Sequence, residues 1–135
     1  LDLPMGSDDE PGVVLEGQVA DRDADWHLAQ IRLGGGGTIW IRDGGDQPGE
    51  TVRVRVLARD VSLSVAPHDD TSILNRLRVQ VTDVAADPDE AMSLVRLSSG
   101  EDVLIARITR RSVAHLQLEP GKALWAQLKS AAIVR

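Results

Sequence analysis

Cysteine is absent from all 135 residues. That excludes disulfides, thiolate zinc sites and a cysteine nucleophile, and it fits a reducing cytosol. Phenylalanine and tyrosine are missing too, which leaves Trp26, Trp40 and Trp125 as the aromatic set. Positive charge is scarce: 15 Lys and Arg stand against 21 Asp and Glu, a net charge of −6. A duplex-binding surface carries a basic excess, and a single-strand binder adds stacking aromatics. No nucleic acid partner is therefore expected. No apolar run approaches the ~18 residues of a membrane span and no signal-like start is present, so no direct membrane insertion is expected. The phosphate-loop pattern GxxxxGK[ST] is also missing, which argues against ATP hydrolysis by this chain and against its being an enzyme.

What is present is a globular composition, 42% hydrophobic, in a length that suits one ordinary domain or two very small ones. Period-two alternation, the mark of a strand buried on one face, runs through "VVLEGQVA" (Val13 to Ala20), "TVRVRV" (Thr51 to Val56), "LRVQVTDV" (Leu77 to Val84) and "VLIARI" (Val103 to Ile108). Turn signals separate these runs: "GGGG", "DGGDQPG", "DPDE" and "SSGED". Many short strands with frequent turns predict an all-β sandwich or barrel. One segment differs. "TRRSVAHLQLEPG" spaces Val113 and Leu116 helically, with Thr109 or Ser112 able to cap its start and Pro120-Gly121 ending it, so one short helix is predicted.

The two halves repeat. "PGETVRVRVLARDVSL" aligns with "PGKALWAQLKSAAIV", "IRLGGGGTIWI" with "VRLSSGEDVLI", and "VVLEGQVADRD" with "RLRVQVTDVAAD". The expected organisation is a flexible lead-in over 1–11, a first unit over 12–66, a linker over 67–70 and a second unit over 71–135. The opening Leu1 and the lead-in "LDLPMGSDDEPG" suggest a piece of a longer protein. A unit of about 60 residues is marginal alone, so pairing within or between chains is expected.

Most candidate sites reduce to structure. The Gly34–Gly37 run lacks a GK[ST] ending and precedes a strand, so it reads as a hairpin turn. His68, Asp69 and Asp70 have no second ligand cluster and read as a solvated linker. His27 and His115 lie far apart with no nucleophile motif beside them. "DPDE" lacks calcium-loop spacing and reads as a turn.

Three polar segments of the second repeat stand apart. "TSILN" precedes its first strand, Thr109 ends its third, and Lys129-Ser130 follows its last long strand. In a closed barrel these ends can meet. They offer the hydroxyls of Ser72, Thr109 and Ser130, the Asn75 amide, the Lys129 ammonium and the main-chain N–H groups of Ile73 and Leu74. No carboxylate belongs to the set. Donors alone suit a small oxyanion that is fully ionised at neutral pH, whereas phosphate keeps a proton that needs an acceptor. An ammonium about 3 Å from a dianion at ε of about 20 gives roughly 11 kcal/mol of gross attraction, against under about 1 of repulsion from the net charge in physiological salt. On the residues alone the ordinary reading, caps and strand ends with a solvated lysine, is favoured over the anion site.

A family resemblance bears on that choice. "TSILN", "ITRRSVAHLQLEPG" and "LWAQLKS" resemble the molybdate-binding mop unit, which opens on S-A-R-N and closes on I-T-x-x-S, L-x-L-x-x-G and an alternating strand ending in Lys. The whole chain, with "LDLP" and "VRVRVLARDVSLSV", is similar to the C-terminal regulatory, TOBE-type region of the ATP-binding subunit of molybdate ABC importers. The resemblance implies tandem OB-like, mop-type β-barrels that exchange or share strands, form a homodimer and bind molybdate or tungstate at subunit junctions, with no cofactor. It implies ligand contacts from Ser72, the main chain of Ile73 and Leu74, Thr109, Lys129 and Ser130, with Asn75 bracing the loop. Leu74 stands where the family has arginine. In the first repeat Leu57 stands opposite Lys129, which marks that repeat as a structural copy. The implied partners are the ABC ATPase domain of the same full-length chain and the permease, at the inner face of the cell membrane in the cytoplasm. The implied task is to sense intracellular oxyanion and restrain transport. Two rival readings are a dimerisation scaffold with no occupied ligand site, which Leu74 favours, and an OB module for a sugar or another small solute.

Overall fold

Alternation becomes strand wherever it occurs. The computed structural model describes residues 10–135; residues 1–9, most of the expected lead-in with its "LDLP", lie outside the described residues. In chain order the strands are β1 (Gly12–Asp23), β2 (Leu28–Leu33), β3 (Thr38–Arg42), β4 (Thr51–Leu57), β5 (Val61–Ser64), β6 (Asn75–Ala86), β7 (Met92–Ser99), β8 (Asp102–Thr109), β9 (Ala123–Leu128) and β10 (Ala132–Ile133). Among the described residues a single 3-10 turn, Ala58–Asp60, precedes β5, and one helix, α1 (Arg110–Leu116), follows β8. On β4 the period is plain: Val52, Val54 and Val56 are buried while Thr51, Arg53 and Arg55 are exposed.

The strands form two five-stranded sheets, ordered β10-β4-β1-β2-β3 and β5-β9-β6-β7-β8, with every neighbouring pair antiparallel. Each sheet curls into a half-barrel, and together they make the tandem OB-like, mop-type, all-β fold that the sequence predicts, with one short helix in the second repeat. The sheets do not keep to their own stretch of chain. β5 crosses to pair with β9, and β10 crosses back to pair with β4. The crossings are pinned: the Lys129 N–H donates to the Asp60 carbonyl at 2.8 Å, and Arg135 holds the Asp46 carboxylate with two bonds of 2.9 Å. One continuous apolar cluster then draws on both sheets, with Ile31, Val54, Leu97, Leu104 and Leu128 almost wholly buried.

The turns at 34–37 and 98–102 are hairpins, the first as expected, and they touch. The Gly35 N–H donates to Asp102 Oδ2 at 2.8 Å. A Cβ on Gly35 would lie 2.1 Å from the Ser99 carbonyl oxygen, so only glycine admits this approach. The helix ends earlier than the Pro120-Gly121 signal suggested. Gln117 takes a left-handed conformation (φ 54°) and closes α1, because the chain must turn there to bury Leu118. Among the described residues no helix is long and apolar enough to cross a membrane.

Candidate functional site

The site begins with the polar stretch before β6. Thr71 Oγ1 accepts from the Ile73 N–H at 3.2 Å, a local turn that holds Ser72 and Leu74 outward, where both are exposed. Asn75, the first residue of β6, faces the edge of the other sheet. Its Nδ2 donates to the Trp40 carbonyl at 2.7 Å, and its Oδ1 accepts from the Trp40 N–H at 2.8 Å. The side chain thereby substitutes for a strand neighbour at β3. Lys129 follows β9, with its backbone tied to Asp60 and its side chain exposed.

These pieces line one depression of about 510 Å³. Ser72, Ile73, Leu74, Asn75 and Lys129 all border it, together with Trp26, Trp40 and Asp23. Among the described residues the Lys129 ammonium makes no ion pair. The Ile73 N–H is already used by Thr71 and the Asn75 amide by Trp40, so among the expected members in the lining the donors left without a partner are the Ser72 hydroxyl, the Leu74 N–H and the Lys129 ammonium. An ammonium, a hydroxyl and a main-chain N–H at one surface can hold a small anion.

Two expected members stand elsewhere. Thr109 pairs with Met92 at the start of β7, beside the far end of β6, up to about 36 Å of strand from Asn75. Its hydroxyl caps α1, accepting from the Ser112 N–H at 3.0 Å. The antiparallel meander dictates this, since β8 ends where β7 begins and β6 stops. Ser130 borders a neighbouring depression of about 430 Å³ with Arg42, Asp43 and Arg135. There the Gly45 N–H, aided by Arg22, holds Asp43 below the usual carboxylate range, and Arg135 does the same for Asp46.

Trp26, Trp40 and Asp23 were not expected at the site. Asp23 brings a carboxylate to the lining of a site whose expected donor set holds none, and its Oδ1 accepts from the Asp25 and Trp26 N–H groups of the β1–β2 turn. Trp26 carried a signal in the sequence, as a large apolar side chain within the acidic turn "DRDADWH"; it is 74% exposed at the rim. Arg76 Nη1 donates to the His68 carbonyl and to Asp69, and no metal-holding cluster occurs among the described residues.

Residues 71–134 match the family profile of the TOBE domain. That unit is a TOBE domain. Over 134 residues, 99% of its length, the chain is 48% identical to the Molybdenum import ATP-binding protein ModC of Thiobacillus denitrificans. It is 44% identical over 135 residues to the Molybdenum import ATP-binding protein ModC of Pseudomonas aeruginosa. The chain spans 37% of the length of each of these relatives. Among solved structures it shares the fold of the cytoplasmic molybdate-binding protein ModG, crystallised with molybdate bound, at a TM-score of 0.75 and 22% identity over 90% of this chain and 93% of that one. Ser72, Asn75, Thr109 and Lys129 all fall within the TOBE match, whereas Trp26 and Trp40 come from the half before it.

Proposed function

We propose that this chain is the molybdate-binding regulatory part of a molybdate importer's ATP-binding subunit, with the depression at Ser72 and Lys129 as its share of the site. The observation that carries the reading is the meeting of Ser72, the Leu74 N–H and an unpaired Lys129 in one depression, on a chain whose relatives are named as molybdenum import proteins. Residues 12–66 and 71–135 act as two repeats joined by 67–70, and the second supplies the donors. Asn75 braces the loop rather than touching the ligand. Thr109 and Ser130 join the site from a second copy, since Thr109 lies a strand's length away within one chain. The exposed rim residues Trp26 and Leu74, 74% and 72% exposed, then become covered in a homodimer. Tungstate, with the same charge and shape, binds in the same way. The ATPase domain of the full-length chain and the permease are the partners, and the whole sits in the cytoplasm at the inner membrane face. Bound oxyanion restrains transport by favouring one arrangement of the dimer, which requires different affinities for the two arrangements.

A calorimetric titration with molybdate, tungstate, sulfate and phosphate tests this. Binding of the first two only is expected, and Lys129→Ala weakens it by more than about tenfold through loss of a charge-assisted contact. Unchanged affinity in that variant removes Lys129 from the site. The second reading, a dimerisation scaffold with no bound ligand, draws on Leu74 and on the Asp23 carboxylate in the lining. No heat with any oxyanion, from a chain that still self-associates, favours it.

A further inference from the structure

The two halves carry the same register. The bulge between Val19 and Asp21 on β1 recurs between Val81 and Asp83 on β6. Asp23 faces Leu28, which faces Arg42; likewise Ala85 faces Leu94, which faces Arg107. Counted back from the two bulges, Ser72 and Ile73 fall on Glu10 and Pro11. The depression at Ser72 therefore has a counterpart in the other half, and it exists as a cavity of about 380 Å³ bordered by Glu10, Pro11, Arg59, Asp87, Leu94 and Arg107.

Leu57 stands at the position of Lys129 there, and the cations of the counterpart are instead two guanidiniums, Arg59 and Arg107, the latter the register equivalent of Arg42. Arg107 is fully engaged, and Arg59 is engaged through one nitrogen. Arg107 Nε and Nη2 donate to the two oxygens of Asp87 at 2.9 and 3.1 Å, the fork-to-fork geometry that recognises a planar oxyanion. Arg59 Nη1 donates to Glu10 Oε1 at 2.5 Å. The Asp87 side chain is only 4% exposed, and Arg107 holds its carboxyl well ionised. Glu10 stands in place of Ser72, an acceptor in place of a donor.

We propose that this second depression is the same oxyanion site already filled from within: Asp87 and Glu10 take the ligand's place on Arg107 and Arg59, so each chain holds one oxyanion rather than two. The inference rests on the reading of the Ser72–Lys129 depression as the oxyanion site. An incoming dianion at the second depression meets the fixed negative charge of Asp87, Asp89 and Glu10, and the Arg107 fork is already taken.

The test is the molybdate stoichiometry of the full chain. The native chain takes one molybdate per chain, Lys129→Ala weakens that event by more than about tenfold, and the double variant Glu10→Gln, Asp87→Asn gains a second, weaker event that brings the ratio to two. A native ratio of two, with one event surviving Lys129→Ala, overturns the proposal. So does a double variant that melts cooperatively yet stays at one. If the native chain binds nothing while the double variant binds one molybdate, the reading of the first depression and the ratio of one per chain both fail, and only the self-filling of the second depression survives; silence in both sinks both. Should the double variant not fold, Glu10→Gln alone frees Arg59 at a partly exposed pair, and an unchanged ratio there together with an unchanged ratio for Asp87→Asn refutes it.

Discussion

Replacing Gly35 with alanine should separate the two hairpin tips that join the sheets. The added Cβ would sit 2.1 Å from the Ser99 carbonyl oxygen and 2.8 Å from Asp102 Oδ2, where ordinary contact begins at 3.4 Å. The Ser99 oxygen is backbone, so it cannot swing aside, and the tips must part by more than an ångström. That movement also stretches the 2.8 Å bond from the Gly35 N–H to Asp102. Overpacking of this kind costs about 1–3 kcal/mol, and a hydrogen bond to a charged group contributes about 1.5–3. Because the two losses overlap, about 3 kcal/mol is expected. With an unfolding entropy of about 2.1 cal/mol/K per residue, a chain of this size loses about 10 °C in Tm. Gly36→Ala is the control, since its Cβ meets nothing within 4 Å although its φ is +97°; it should cost only about 1 kcal/mol. Thermal unfolding followed by circular dichroism measures both. The reasoning fails if Gly35→Ala melts within about 3 °C of the parent, or if Gly36→Ala is the more damaging change.

Three further outcomes are expected. Asn75→Ala strands the Trp40 N–H and carbonyl at a part-buried edge, costing about 2–3 kcal/mol by denaturant unfolding; a loss below about 0.5 would deny the clamp its role. Asp87 is held below its usual 3.8 by Arg107, against burial and with help from the Asp89 N–H. A depressed folded value means stability that is present above the unfolded pKa and lost as pH falls through the folded one, so the native chain should weaken below about pH 4 and Asp87→Asn should flatten that acid limb. An unaltered acid limb in the variant would contradict the assignment. Thr109→Ala should lose about 1 kcal/mol of helix capping, and it should also weaken molybdate binding if a second copy supplies that hydroxyl; an affinity equal to the parent's, measured in the associated state, removes Thr109 from the ligand.

Much of the fold was readable because its cause is local. Val52, Val54 and Val56 announce a one-sided strand in any context, and Thr109 followed by "RRSVAHL" announces a capped helix. The paired turns at Gly34 and Gly100 were readable as turns, but not their contact, because Gly35 meets Ser99 across 64 residues of sequence. At the site, the donors Ser72 and Lys129 were legible as chemistry, while Trp40's clamp by Asn75 and the arrival of Asp23 and Trp26 were not. Those partners belong to the other repeat, and nothing near "TSILN" encodes them.

By itself, then, the sequence determined the strands, the duplicated plan and a set of donors that suits a permanently ionised oxyanion, because side-chain period and hydrogen-bond type are properties of a residue and its near neighbours. Tertiary structure decided which donors meet. The antiparallel pairing of β9 with β6, Leu128 opposite Asn75, carries Lys129 to Ser72, and the order of β6, β7 and β8 takes Thr109 to the opposite end. Register across a sheet depends on which apolar faces bury together over the whole chain, and that is settled only when both halves close on one core.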